Sequence, residues 1–359
     1  MKDFEIRLAE AARAAGALSA AALRMDRPDL LRSVRAHAGR VASWLAEGRH
    51  GEMVYLKRTL PLRSAPGEAF PFARSVVVAT FEGDWRAGAP SPFPVPDPGA
   101  PLVGYVSAYA SGVDYHERGH RMLATMAKEL GLTGRVETEV DTGAVFERLL
   151  AMRAGLGRIG ENGLLRTSER GTRVFLGFLF AEEVLPEVVR SPEMPFDCAD
   201  CSACLENCPT GALKAGRTFD ARRCVSYLTI EKRGLLSSVE ERAIGRWIFG
   251  CDDCTSVCPP VWRDGRMAVD LGWLLKAPSG EVRRRLEGTA MAYAGVGRLR
   301  RNAVAVLKGM DAPEAKALLA WTRANAGSAR VRAQCEVSGE PSVGNEKGDG
   351  ANAGGEKQG

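Results

Sequence analysis

Cys198-Ala-Asp-Cys201-Ser-Ala-Cys204-Leu-Glu-Asn-Cys208-Pro209 is the stretch whose reading decides the rest. Three cysteines at two-residue intervals, then a fourth after three residues and a proline, form the bacterial ferredoxin spacing, in which the fourth cysteine serves the neighbouring cluster. The reason is reach. Three closely spaced thiolates wrap one face of a 4Fe–4S cubane, and the fourth, turned away by the proline, points at its neighbour. A second run, Cys251-x2-Cys254-x3-Cys258-Pro259, has one ligand fewer, and Cys224 between the runs is the candidate replacement. Crossed ligation then assigns Cys198, Cys201, Cys204 and Cys258 to one cluster and Cys208, Cys224, Cys251 and Cys254 to the other. Paired CxxC motifs also bind zinc. Zinc sites rarely need CxxCxxCxxxCP, however, and eight thiolates fit two cubanes without remainder. Two adjacent clusters serve better as a wire than as a staple, with a purely structural role as the alternative.

Working outward, the chain has 359 residues, enough for two or three domains. Hydrophobic residues make up 45% and charged residues 26%, ordinary for a soluble globular protein. The net charge of +5 permits an anionic partner without demanding one. No stretch is apolar enough to span a bilayer. The first twenty residues lack a signal-peptide core and a twin-arginine leader, so a cytoplasmic location is expected, where clustered cysteines suggest metal rather than disulfides.

Periodicity predicts an α+β, multidomain chain. Residues 4–48 read as helical, broken near Arg27-Pro28. Ala73 to Phe81 reads as a buried strand because Val76 to Val78 is a β-branched run. Gly83 to Pro101 is a Pro/Gly-rich loop, and Val103 to Ala108 is a second strand. Tyr115 to Leu130 is a helix ended by Gly131. Arg135 to Val140 and Val174 to Phe180 are strands flanking a helix over Val145 to Ala154. Strands alternating with helices indicate an α/β domain over 1–190. The two-cluster ferredoxin-like domain covers 191–262 and a basic, helical C-terminal region 263–325. Residues 326–359, rich in Gly, Ser, Glu and Lys, are expected to be a disordered tail holding an unimportant free thiol, Cys335.

Several motifs resemble those of the epoxyqueuosine reductases. They are Arg223-Cys-Val-Ser-Tyr-Leu-Thr-Ile-Glu-Lys-Arg-Gly234, Ile248-Phe-Gly-Cys-Asp-Asp-Cys254 with Val257-Cys-Pro259, Val140-Asp-Thr-Gly143 followed by Glu147-Arg148 and Ala154-Gly-Leu-Gly157, and Gly112-Val-Asp-Tyr-His116. The resemblance runs from the first helix to about Leu307. It implies reduction of the epoxide of epoxyqueuosine to queuosine in the tRNA wobble position. It also implies base-off cobalamin in an α/β domain related to reductive dehalogenases, two 4Fe–4S clusters feeding the cobalt, and an external low-potential electron donor. A monomer and no membrane association are expected. The chain departs from the family at Gly157-Arg-Ile-Gly-Glu-Asn162, at Pro260-Val261 after the last cluster cysteine, in a longer 83–101 loop and in a shorter helical region. These departures bear on the tRNA-facing surface.

The resemblance makes Asp141 the general acid. Opening a strained C–O bond with two electrons needs a strong reductant and an acid for the leaving oxygen. Burial beneath the corrin is expected to raise its pKa. The rival readings of Asp141 are a plain N-cap or turn residue before the Val145 helix and an aspartic-protease Asp-Thr-Gly, for which no second copy exists in the sequence. Tyr109, Tyr115 and His116 are carried over as cobalamin-pocket candidates. His120, four residues on, reads as a solvated or core histidine, and His37 and His50 as surface residues. Ser226, Lys232 and the Cys251-Asp252 backbone are placed where the cluster domain meets the corrin. Alternatively, Ser226 caps a helix and Lys232 is solvated. Between Glu281 and Met310 seven Lys/Arg stand against two acids, and Arg283, Arg284, Arg298, Arg300 and Arg301 are the tRNA-binding candidates. A solvated charged face is the alternative. The rivals to the whole reading are a related reductase of another substrate, such as an organohalide, and an electron-carrier iron–sulfur protein. An RNA-binding protein with structural clusters is a third.

Overall fold

The structure is a computed structural model that describes all residues except 1, 84–90, 95, 97–98, 100, 192–193, 195–196, 199, 261–264 and 338–359. Most of the expected loop over 83–101, the departure at Val261 and most of the expected tail lie outside the described residues.

A four-stranded antiparallel sheet runs in the order Ser19–Arg24, Ser75–Phe81, Phe175–Ala181, Val136–Glu139. Ser75–Phe81 sits inside it and every residue is buried, which is why it reads as an unbroken apolar run rather than an alternation. Its side chains divide by parity. Val77, Ala79 and Phe81 pack with Leu179 under the Lys2–Ala15 and Tyr115–Glu129 helices, through Leu8, Leu123 and Met126. Val76 and Val78 pack with Phe178 and Phe180 against Leu30, Leu150 and Leu165 on the other face. The strand at Ser19–Arg24 corrects the expectation that residues 4–48 are helical up to a break near Arg27-Pro28. The sequence Ser-Ala-Ala-Ala-Leu-Arg favours helix locally, but pairing with Ser75–Phe81 overrides a propensity worth only a few tenths of a kcal/mol per residue.

The Tyr115–Glu129 helix forms as expected. Asp114 caps it by accepting from the His116 N–H at 2.9 Å, and Gly131 follows at φ +68°. The next helix, Glu147–Arg153, starts after Phe146. Asp141 is therefore not its N-cap. It occupies the preceding turn at φ +63°, a left-handed conformation uncommon for a residue with a β-carbon.

A second core surrounds a three-stranded sheet. Val103–Val106 is its middle strand, parallel to Trp247–Phe249 and antiparallel to Met267–Asp270. Segments from before, within and after the cysteine-rich stretch thus share one sheet. The last of these strands, Met267–Asp270, interrupts a region expected to be helical. The Gly295–Lys308 helix runs through this core, with Leu299 and all residues from Arg301 to Leu307 buried. Such burial on every side marks a central helix. Residues 329–336 form a further helix with Val331 fully buried, so the expected tail is ordered at its start, and Cys335 donates to the Val331 carbonyl at 3.5 Å. No helix among the described residues is long and apolar enough to cross a membrane.

Candidate functional site

The cysteine-rich segment folds as short turns. Cys198, Cys201, Cys204 and Cys258 line one cavity, with Gly160, Asn162 and Val257 completing its wall. The Cys254 sulfur is acted on by Cys224 and Cys208, and Cys251 by Cys254. Cys204 also acts on Cys254, so the two groups adjoin. All eight are free thiols. Two adjoining groups of four soft sulfur donors suit two cubanes. Cys224 precedes the Val225–Ile230 helix, and backbone N–H groups of Tyr227 and Ser226 donate to its sulfur. Ser226 is thus inside the helix, not its cap. Lys232 is engaged by Glu240 at 2.7 Å rather than solvated.

The cluster loop is seated on the strand before the Tyr115 helix. Asp252 is buried and accepts hydrogen bonds from the Ser107 hydroxyl and, at 2.8 Å, from the Ala108 N–H. Gly250 adopts φ +70°, and a β-carbon there would lie 2.5 Å from Ser107 Cβ and 3.1 Å from the Tyr109 ring. Only glycine permits that approach. Tyr109 in turn stands edge-on to Tyr115, with ring centres 6.1 Å apart.

Tyr115 leads to Asp141. Its hydroxyl donates to Asp141 Oδ2 at 2.5 Å, and its ring stacks on Phe175 at 4.2 Å. His116 bridges two carboxylates, with Nδ1 2.7 Å from Asp114 and Nε2 3.6 Å from Asp141. Burial pulls the His116 pKa down, but the bonds to Asp114 and Asp141 outweigh it and lift it to about 9. Desolvation by the surrounding walls of the recess pushes the Asp141 carboxyl up, yet the bonds from His116 and Tyr115 hold it below its ordinary value. The protein alone therefore does not give Asp141 the raised pKa expected beneath a corrin. At neutral pH the proton resides on His116 and Asp141 is a carboxylate. Glu147 completes the group. Its Oε1 is buried without a hydrogen-bond partner, and burial together with the Asp141 charge pushes its pKa up to about 8. The Asp141 charge also reaches Tyr55, Tyr109 and Glu231, and Glu231 accepts from the Tyr293 hydroxyl at 3.0 Å. Asp141 itself is 58% exposed, open to whatever enters among these side chains.

Tyr55, Glu231 and Tyr293 carried no signal in the sequence, since single tyrosines and acids far apart in the chain have no spacing to read. His120 bonds Thr138 at 2.7 Å. The surface expectation fails for His50, which is 5% exposed, and His37 is half-buried edge-on to Phe146.

Among the basic candidates, Arg283 and Arg284 are exposed. Arg301 is a correction. It is fully buried and donates to the Leu228, Lys232 and Gly234 carbonyls at 2.6 Å each, so it is closed to phosphate. Arg298 donates to the Ala294 and Tyr293 carbonyls, and Arg300 to the Leu274 carbonyl and Ser279. Both are half-buried and spend donors on stapling helix ends.

Residues 197–260 match the family model of the 4Fe–4S double cluster binding domain. The chain is 38% identical over 231 residues to epoxyqueuosine reductase of Pseudomonas aeruginosa, an alignment covering 62% of this chain and 61% of that one. It is 34% identical over 286 residues to the Vibrio cholerae enzyme, covering 75% of each. The fold is shared with the solved epoxyqueuosine reductase of Streptococcus thermophilus, at TM-score 0.78, 24% identity and coverage of 92% and 88%. It is also shared with an epoxyqueuosine reductase solved with an epoxyqueuosine-modified tRNA-Tyr stem loop, at TM-score 0.76, 24% identity and coverage of 93% and 88%. A Bacillus subtilis epoxyqueuosine reductase, solved with its catalytic loop swung out of the active site, has TM-score 0.75, 22% identity and coverage of 93% and 89%. With a third of its residues matching the Vibrio enzyme across three quarters of both chains, this chain belongs to the epoxyqueuosine reductase family of oxidoreductases.

Proposed function

We propose that the chain reduces the epoxide of epoxyqueuosine in the tRNA wobble position to queuosine. Two 4Fe–4S clusters on the two cysteine groups carry electrons from an external low-potential donor, and Asp141 acts as general acid. The observation that carries this reading is continuity. The Asp141 carboxylate, the Tyr115 and Tyr109 rings and the cluster loop at Gly250–Asp252 form one unbroken line of contacts.

Base-off cobalamin, when bound, supplies two electrons at low potential. Tyr109, Tyr115, His116 and Asp141, an aromatic wall with a polar floor, are the residues that would hold it. Conversion of the epoxide to the alkene takes two electrons and two protons and releases the oxygen as water. Asp141 delivers a proton to the leaving oxygen. Because Asp141 is ionised beforehand, His116, 3.6 Å away and carrying a proton, replenishes it. Covering the open carboxylate with cofactor and substrate removes water and favours its protonated form. Tyr115 orients it.

The wobble base of a single-stranded anticodon loop is splayed out for such chemistry. Arg283 and Arg284 are suited to its phosphates. A tRNA substrate places the reaction in the cytoplasm, and a single chain suffices for the site.

The test is anaerobic reconstitution with iron, sulfide and cobalamin, followed by turnover of epoxyqueuosine-tRNA. About eight iron and one cobalt per chain with queuosine formed is the expected result. Full iron loading with no retained cobalamin and no queuosine would reassign the chain as an electron carrier.

A further inference from the structure

Between the core of the larger sheet and the cysteine-rich segment runs a short hairpin that the reaction above does not use. Arg158–Ile159 pairs antiparallel with Leu165–Arg166. At its root Ile159 and Leu165 pack in that core with Leu150 and Phe178. Its tip, residues 160–164, is closed by the Gly160 N–H on the Leu164 carbonyl at 2.9 Å and the Gly163 N–H on the Gly160 carbonyl at 3.0 Å. Arg148, on the helix that follows the Asp141 turn, donates to the Gly163 carbonyl at 2.6 Å.

The tip touches both cysteine groups. Gly160 and Asn162 stand in the wall of the cavity lined by Cys198, Cys201, Cys204 and Cys258. A β-carbon on Gly160 would lie 3.7 Å from the Cys198 sulfur. Asn162 is 9% exposed, and its Nδ2 donates at 3.4 Å to the carbonyl of Cys254, a member of the other group. Glu161 reaches the chain of that same group. Its Oε2 accepts from the Gly216 and Arg217 N–H groups at 2.8 and 3.1 Å, in the turn between Cys208 and Cys224. Asn162 also has a local task. Its Oδ1 accepts from the Leu164 N–H at 3.2 Å, an Asx turn that a serine hydroxyl can imitate. Only the amide nitrogen reaches across to the second group.

Two clusters with four thiolates each are anionic, and their repulsion is strong where screening is poor. A group that fixes their spacing must be fastened on both sides and add no negative charge. A buried asparagine amide with its N–H end on the second group meets both conditions. We propose that Asn162 is a positioning residue for electron transfer between the two clusters, its amide standing in the wall of one cysteine group and bonded to the other. This rests on the two-cluster assignment above. In the step it serves, one electron leaves one cluster, which is oxidised, and enters the other, which is reduced. No bond is made or broken and no proton moves, so spacing and orientation are what the protein controls.

The experiment is electron paramagnetic resonance of the full chain, reconstituted with iron and sulfide and fully reduced. Two reduced clusters held close split and broaden each other's signal, so the spectrum reads their spacing. It compares the natural chain with Asn162→Ser and Asn162→Ala. Serine keeps an oxygen for the Leu164 N–H and is too short to reach Cys254, whereas alanine loses both bonds. The expected result is loss of the natural splitting in both variants, with iron held at about eight per chain. Natural splitting in Asn162→Ser would reduce Asn162 to a turn former and overturn the proposal. A fall in iron content in Asn162→Ser would overturn it too, by making Asn162 a residue of cluster assembly. If Asn162→Ala does not fold, Asn162→Ser decides alone. Iron analysis keeps the two readings apart. About eight iron with natural splitting in Asn162→Ser sinks only this inference, whereas about four iron in the natural chain sinks the two-cluster assignment.

Discussion

Replacing Asp114 with Asn tests the proton supply with little collateral damage. Asn and Asp are equivalent N-caps, so the bond from the His116 N–H survives and the Tyr115–Glu129 helix keeps its start. What disappears is one of the two negative charges gripping the His116 ring, the one 2.7 Å from Nδ1. The rise from 6.5 to about 9 amounts to at most ~3.5 kcal/mol, at about 1.4 kcal/mol per tenfold in proton affinity. Asp114 and Asp141 share it, so Asp114→Asn is expected to lower the His116 pKa by about one pH unit or more. The sign follows from the raised value. The protonated imidazole, and the stability and proton supply it brings, are fully present below 6.5 and are lost as pH rises through about 9. The assay is an anaerobic pH–rate profile on epoxyqueuosine-tRNA with excess reductant, so that electrons do not limit. The alkaline limb should move down by about one unit while the rate near pH 6 is unchanged. Nuclear magnetic resonance of the histidines reads the same pKa directly, with only four to assign. A variant whose alkaline limb coincides with the natural one would remove His116 as the proton source.

Asp141→Asn, which tolerates the left-handed turn, should fold, retain iron and lose epoxide reduction by at least about a hundredfold; unchanged turnover would take Asp141 out of the mechanism. Cys224→Ala should halve the iron content of the reconstituted chain, and full loading would mean another ligand serves that cluster. Gly250→Ala drives a β-carbon to 2.5 Å from Ser107, and lifting the loop from Tyr109 should slow electron delivery without loss of tRNA binding; a natural single-turnover rate would show that the seat is not needed. Arg301→Met leaves three carbonyls without their donor and should destabilise the chain by about 3 kcal/mol in chemical unfolding. Arg283→Ala/Arg284→Ala should leave stability alone and weaken tRNA binding with a shallower salt dependence; the reverse pattern would refute the division between buried and surface arginines.

The parts legible in the sequence are those whose physics is local. Cysteine spacing reports reach around a cubane, because the thiolates that wrap one cluster lie within a few residues of one another. Asp114 and Gly131 bracket a helix because capping and a left-handed terminus are settled by the residues at its ends. Val76 to Val78 announced a buried strand through β-branching. The Ser19–Arg24 strand was invisible because alanines carry no strand signal, and only a partner at Ser75–Phe81 makes extended backbone profitable there. The arginines of 298–301 looked alike in sequence. Their fates diverged because a helix at the centre of a core turns some positions inward, where carbonyl oxygens from other segments wait for a donor.

The sequence by itself determined the double-cluster cysteine pattern, matched by the family model over residues 197–260, and the ends of the main helices. Tertiary structure alone decided which residues surround Asp141 and in what protonation state. Tyr55, His116, Glu147 and Glu231 act on Asp141 from separate places in the chain. The reason is that ionisation depends on charges and burial within a few ångströms, and those distances exist only after the chain has closed on itself.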